Sequence, residues 1–414
     1  MGMSETKKHI PHGWDSQPIG ALVTEQLKSN LNVSDATGEG KYPFFTSGEV
    51  VLRHSDNLVN GENLYLADGG VAEVKFYNGP AAYSNHTYVL KAKKQIVEGG
   101  YLYAFLDAHC SNVDYLYFQG TGLKNLQKKD FKSFPVLYPK DRSEQQRIVR
   151  LLTCIDEAIA KTEALIEKYR RIKQGMMHDL LTYGIDKDGN IRSPKTHRFK
   201  PSPLGMIPEE WECSSIGEKC YVTKLAGYEF TKYIHYQGHG EVIALRALNI
   251  KHEKIVLDDV RYISRETSNL LSRSKLYAGD ILITYIGAYI GDIAQVREND
   301  RFHLAPNIAK IVAGEDILSD FLENILRSEK VQFYFKTLIT TTANPSLTMG
   351  QIRSSYIMYP KNKLEQKIIC ERIRNINNVI YKEKASLAKL CAERQGLLND
   401  LLTGKVRIPE TVNI

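Results

Sequence analysis

Apolar side chains recur every seven residues along two tracks between residues 138 and 182. The first runs through Ile148, Ile155, Thr162, Tyr169 and Met176, and the second through Leu152, Ile159, Ile166, Lys173 and Leu180. That spacing predicts a long helix with one face against a second helix. Residues 359–403 carry the same stripe, through Ile369, Ile376, Glu383, Leu390 and Leu397, and through Ile373, Ile380, Leu387, Arg394 and Leu401. The polar interruptions fall at matching places, Thr162 with Glu383 and Lys173 with Arg394. Shared gaps predict that the two helices pack on each other. Pro139 and Pro360 stand just before the expected starts, and about 40 residues at 1.5 Å each make a rod of roughly 60 Å. Elsewhere the pattern alternates with period two, in "ENLYLADGGVAEVKFYNG", "EVIALRALNI", "DILITYI" and "DIAQVRE", which reads as strands. Short helices are expected at "GGYLYAFLDA" and "SDFLENILRSEKVQFYF".

The matching stripes are part of an internal repeat. Laid side by side without gaps, residues 138–182 and 359–403 agree at 17 of 45 positions. Both open with Y-P-K, carry Glu-Gln soon after (Glu144–Gln145 and Glu365–Gln366) and close with D-L-L-T. A second echo, "IPHGWDSQPIG" from Ile10 and "IPEEWECSSIG" from Ile207, marks where each half begins. A fainter third links "GENLYLADGGVAEVKF" with "GDILITYIGAYIGDIAQVR". The predicted organisation is a mixed α/β (α+β) domain over 10–137, a helix over 138–183, a linker over 184–206 rich in Gly, Pro, Lys and Asp, a second α/β domain over 207–358 and a second helix over 359–404. A duplicated chain that imitates a twofold dimer sets the helices antiparallel, as a coiled-coil spacer.

Composition limits the function classes. With 43% hydrophobic and 25% charged residues the 414-residue chain has the make-up of a globular protein of two or three domains. No apolar run reaches the roughly 20 residues of a membrane span, and "MGMSETKKHIPHGW" has no signal-like apolar core, so the expected compartment is the cytoplasm. Six scattered cysteines without a C-x-x-C pair suggest neither zinc nor disulfides. The net charge of +7 permits a polyanionic partner without requiring one.

The order I-P-x-x-W, variable α/β region, Y-P-K-x-x-x-E-Q, long helix, Q-G-x-x-x-D-L-L-T, then the whole again, resembles the specificity subunit of Type I restriction-modification systems. The likeness runs from about residue 10 to residue 404, and the phrase "THRFKPSPLGMIPEEWE" is similar to that family's central region. The resemblance implies two target recognition domains, each reading one half of a split double-stranded DNA sequence, with the paired helices fixing the gap. It implies two methyltransferase subunits docked on the chain and two motor-nuclease subunits completing the complex. S-adenosylmethionine, ATP and Mg would sit on those partners, leaving this chain without a cofactor or catalytic residue of its own. The helix stripes would then serve spacer and partner contacts through Ile148, Leu152, Ile155, Ile159, Ile166, Tyr169, Ile369, Ile373, Ile376, Ile380, Leu387 and Leu390. Asp179 and Asp400, in the D-L-L-T ends, would face partners.

Catalytic motifs are missing from the sequence in the forms that matter here. "GEGKY" at Gly38 to Tyr42 lacks the upstream Gly and the hydroxyl residue of a nucleotide-binding loop, and "NPSL" at Asn344 departs from the N-P-P-Y of amino-methyltransferases. Glu73 and Lys75, in "EVK" downstream of Asp56 or Asp68, imitate a metal-dependent nuclease triad, but a strand of alternating charge explains them and the second half does not repeat them. Two alternatives therefore stand beside DNA recognition: a coiled-coil interaction protein without DNA readout, and a nuclease using Glu73 and Lys75. The interaction protein would have no need of two diverged α/β domains.

For DNA, a basic run from Lys124 to Arg150 (Lys124, Lys128, Lys129, Lys132, Lys140, Arg142, Arg147, Arg150) is suited to gripping phosphates. Polar and aromatic residues in Gly-rich loops are the candidates for base edges. In the first half these are Lys75, Tyr77, Asn78, Asn85, His86, Thr121, Lys124, Asn125, Lys128 and Lys129. In the second half they are Arg246, Asn249, Tyr285, Tyr289, Asn307, Thr342, Asn344, Ser346 and Thr348.

Overall fold

The computed structural model describes residues 10–251, 253–339 and 345–409. The chain forms two compact units: residues up to 165 together with 383 onward, and residues 166–382. Two long helices, Arg142–Thr182 and Lys363–Leu401, each begin in one unit and end in the other.

The first unit is built on a four-stranded antiparallel sheet. Its strands follow the order Val23–Glu25, Thr87–Ala92, Glu62–Ala67, Val74–Asn78. A separate three-stranded sheet (Leu52–His54, Tyr42–Phe45, Ala82–Tyr83) stacks Phe45 on Tyr65 at 3.9 Å. The helix Gly99–Ala108 packs Tyr101, Leu102 and Phe105 into the core beneath the larger sheet. That core also takes Ile148 and Leu152 from the start of the first long helix and Leu398, Leu401 and Leu402 from the end of the second. Ion pairs run the same way, Glu144 with Arg407 and Asp156 with Arg394. The start of one helix packs with the end of the other, and Arg407 just past that end reaches back to Glu144, so the helices are antiparallel here. Apolar residues at spacing three and four bury one stripe while the rest stays wet.

The second unit repeats the plan with different side chains. Its sheet order is Cys220–Lys224, Ile308–Ala313, Ile281–Thr284, Ile293–Gln295. A second four-stranded sheet joins Arg261–Ile263, Val242–Leu245, Phe302–Leu304 and Lys275–Leu276. The expected helix at 319–335 is two helices, Ser319–Arg327 and Glu329–Leu338. Ser328 breaks them: its extended backbone ends the first, and its hydroxyl accepts from Val331 N–H to cap the second. The core collects Leu180 and Leu181 from the end of the first long helix with Ile369 and Ile373 from the start of the second.

The segment 184–206, expected to be a linker, is not slack. Ile185, Arg192 and Leu204 are buried, Ile185 bridges Ile191, and Phe199–Lys200 pairs with Ile207–Pro208. Turn residues dominate its composition because it folds back tightly.

The repeated motifs meet at one junction in each unit. Trp14–Pro18 pairs with Pro135–Pro139, placing Trp14 opposite Pro139; Trp211–Ser215 pairs with Tyr356–Pro360, placing Trp211 opposite Pro360. The buried Gln145 amide donates to the carbonyls of Pro139 (2.7 Å) and Ile96 (3.1 Å) and accepts from Glu98 N–H (2.7 Å). Gln366 donates to the carbonyls of Pro360 and Asp316 and accepts from Leu318 N–H, each at 2.8 Å. Glu98 and Leu318 are the N-caps of the helices Gly99–Ala108 and Ser319–Arg327, so each glutamine satisfies a helix-start N–H. Burying a bare amide is costly, and three bonds apiece remove that cost.

Candidate nucleic-acid interface

Three loops converge at the end of the main sheet in the first unit. Asp68 N–H donates to His86 O (3.1 Å), Leu126 N–H to Asp68 O (3.0 Å), and Gly70 N–H to Lys124 O (2.8 Å), with a bridge between Gly69 and Asn125. The second unit brings equivalent loops together by equivalent bonds. Tyr285 N–H donates to Asn307 O (3.0 Å), Leu347 N–H to Tyr285 O (2.9 Å), and Ile286 bridges Ser346. Gly70 has φ of 90° and Asn307 φ of 73°, left-handed conformations that Gly and Asn tolerate best.

Many candidate residues fall in these loops. Thr121, Lys124, Asn125 and His86 are exposed there. Lys128 donates to Asp68 at 2.8 Å and lies 4.9 Å over the Tyr88 ring. Lys124 donates to Asp114 at 3.1 Å, and Asp114 also accepts from Ala72 N–H at 2.9 Å. The Ala72 bond first, and then Lys124, holds the Asp114 carboxyl below its ordinary value. In the second unit Tyr285 is buried with Lys224 5.0 Å from its ring, and Tyr289 lies under Lys251 at 5.0 Å. Ser346 lies in the bridge to Ile286. Thr342 and Asn344 lie outside the described residues.

Other candidates do structural work. Asn249 is fully buried: it donates to Val256 O and Asp259 O, both at 2.9 Å, and accepts from Arg246 N–H at 3.0 Å. Both amide hydrogens are thus committed to a turn, which leaves none for a base. Arg246 is bound to the carboxylate (2.9 Å) and carbonyl (3.0 Å) of Asp259. Thr348 caps the helix Met349–Ser354, accepting from Gln351 N–H. Tyr77 and Asn78 stand at the far end of their strand from the loops, Asn78 opposite Glu62. Asn85 donates to Asn32 at 2.9 Å. Lys75 donates to Gly48 O (2.6 Å) and pairs with Glu73 (2.9 Å), while Asp68 is held by Lys128, so these three residues of the nuclease-like pattern are engaged by neighbours.

The basic run is less free than its composition suggests. Lys124, Lys128, Lys132, Arg142 and Arg147 pair with Asp114, Asp68, Glu25, Glu98 and Asp141. Lys129, Lys140 and Arg150 are exposed and form no ion pair among the described residues. Asp114, Val71 and Leu123, which also belong to this loop cluster, were not among the candidates; only Val71 lies beside the Gly69–Gly70 turn in the sequence.

Residues 11–169 match the model of the Type I restriction modification DNA specificity domain. The chain is 26% identical to the Type I restriction enzyme MjaVIII specificity subunit of Methanocaldococcus jannaschii, over 96% of this chain and 94% of the relative. It is 24% identical to the EcoBI specificity subunit of Escherichia coli over 65% of this chain and 55% of that protein. The crystal structure of the S subunit of a Type I restriction-modification system from M. genitalium superposes with a TM-score of 0.62 at 17% identity, covering 99% of both chains. At that identity the superposition speaks for the fold. No described helix is long and apolar enough to cross a membrane.

Proposed function

We infer that this chain, which carries a Type I restriction modification DNA specificity domain and resembles specificity subunits along nearly its whole length, is the sequence-reading DNA-binding subunit of such a system. The observation that carries this reading is the paired construction: each unit presents a three-loop platform built by the same backbone bonds but furnished with different side chains. Uniform backbone with divergent surface is what two readers of two different sequences require, because base edges are told apart by side-chain chemistry.

In this reading each platform addresses one half of a split double-stranded target, and the long helices set the spacer between the halves. Two methyltransferase subunits and two motor-nuclease subunits assemble on the chain, and S-adenosylmethionine, ATP and Mg are bound by them. Splitting the target multiplies discrimination, since each mismatch costs roughly 1 to 3 kcal/mol at separated positions. Mapping adenine methylation by the chain co-expressed with a methyltransferase subunit tests the scheme. The expected product is a split motif, of which replacing residues 10–137 changes one half. A single continuous motif, or a change in both halves together, overturns the two-reader scheme.

A further inference from the structure

The loops of the first unit form a short two-stranded ribbon just beyond the end of the strand Glu62–Ala67. Asp68 with Leu126 and Gly70 with Lys124 are its hydrogen-bonded pairs, and Gly69 faces Asn125 between them. Gly70 then turns the chain with φ of 90°, and Val71 and Leu123 are the next residues at this end of the ribbon, Leu123 Cδ2 lying 3.8 Å from where a Cβ on Gly69 would stand. Both are aliphatic and both are exposed, Val71 at 74% and Leu123 at 69%. Exposing an apolar side chain costs solvation.

The ribbon is held rigid. Asp114, on the helix Cys110–Tyr117, accepts from Ala72 N–H beside one strand and from Lys124 on the other. Gly120 closes the turn against the Leu123 carbonyl, where a Cβ would collide with the backbone. Lys124 and Asn125 follow Leu123 directly, and Lys128, paired with Asp68, and Lys129, which forms no ion pair among the described residues, come next in the chain.

Resting on the DNA-reading role above, we propose that this ribbon enters the major groove of one half-site, where Val71 and Leu123 read the C5-methyl group of a thymine and Asp114 positions them. The major groove admits a two-stranded ribbon, and the thymine methyl is the one apolar feature it displays. Lys129, exposed and without an ion pair among the described residues, suits a neighbouring phosphate, which favours DNA over an apolar protein surface as the occupant.

The test uses the full chain with its methyltransferase partner and duplexes carrying the mapped site, with each thymine of the unit-one half replaced in turn by deoxyuridine, which lacks the methyl. One replacement is expected to weaken binding about fourfold, the worth of one buried methyl-sized group. Val71→Ala with Leu123→Ala should lower affinity for the thymine duplex and erase the difference between thymine and deoxyuridine. Asp114→Asn should shrink that difference with the melting temperature unchanged, which a purely structural residue would not do. If every deoxyuridine duplex binds like the parent, or the difference survives the double substitution, the proposal falls. It falls too if those substitutions spare the difference and instead reduce methyltransferase co-purification, since the patch would then be a protein contact. A scrambled half-site that binds as well as the mapped one would defeat the DNA-reading role itself, a separate outcome.

Discussion

The junction in the second unit is locked more completely than the one in the first. Glu365, with a side chain 8% exposed, accepts from both Arg192 terminal nitrogens (2.6 and 2.9 Å), from the Trp211 indole (2.9 Å) and from Ile185 N–H (3.0 Å). Glu144, at the matching position, is engaged by Arg407 alone among the described residues, and that arginine is 47% exposed. The Trp14 indole N–H is buried with no partner among the described residues. The two glutamines beside these carboxylates keep the same three bonds. The comparison separates what the architecture requires from what it tolerates: the helix start must be tied to the strand, while the buried carboxylate can be satisfied in more than one way.

Arg192→Ala should therefore be the most damaging single change at either junction. Removing one partner of a buried ion pair leaves an uncompensated charge and costs about 3 to 5 kcal/mol. Arg407→Ala strands Glu144, whose side chain is 2% exposed, but Arg407 is 47% exposed, so water enters the place it leaves and the cost should be smaller, about 1.5 to 3 kcal/mol. Denaturant unfolding of the two variants measures both, and equal losses would erase the distinction between the junctions.

A smaller difference is expected at the glycines that end the long helices. Gly184 and Gly404 have φ of 64° and 67°, so any side chain there is strained, by about 1 to 3 kcal/mol. A Cβ on Gly184 would also run into the Glu365 carboxylate and the Trp211 ring, whereas one on Gly404 meets Pro11 and Trp14. Alanine at 184 should lower the melting temperature more than alanine at 404. The reverse order would show that the second junction repacks more easily than its bonds imply.

Much of this fold was legible in the sequence because helices tolerate few insertions: Gln145 and Gln366, or Glu144 and Glu365, stay in one register over 45 positions. The residues that answer those carboxylates were not legible. Arg192 and Arg407 lie beyond the helix ends, in segments of unequal length, and meet their partners across 173 and 263 residues of chain. The reading loops were found in outline through Gly-rich turns and the Tyr285 and Lys124 regions. Arg246 and Asn249 were chosen by residue type, and type alone cannot distinguish an Asn facing solvent from one that closes a turn by donating both amide hydrogens. Val71 and Leu123 escaped for the opposite reason, since aliphatic residues are ordinarily assigned to a core.

The finest contrast lies one step from each tryptophan, where Asp15 faces Tyr138 and Glu212 faces Tyr359. Glu212 accepts from Tyr359 at 2.9 Å and pairs with Lys361 at 3.1 Å, whereas the Asp15 to Tyr138 bond is 3.4 Å and Lys140, matching Lys361, is unpaired among the described residues. Lys361 first, then Tyr359, holds the Glu212 carboxyl below its ordinary value. A carboxyl depressed in the folded state contributes stability that is full above its unfolded value, about 4.5, and is lost as pH falls through the lower folded value. Because the group is partly exposed, that contribution is about 0.5 kcal/mol. Glu212→Gln should therefore cost little near neutrality and nothing once the pH is below the folded value. A penalty that persisted undiminished in acid would mean that the glutamate acts by packing and not by charge.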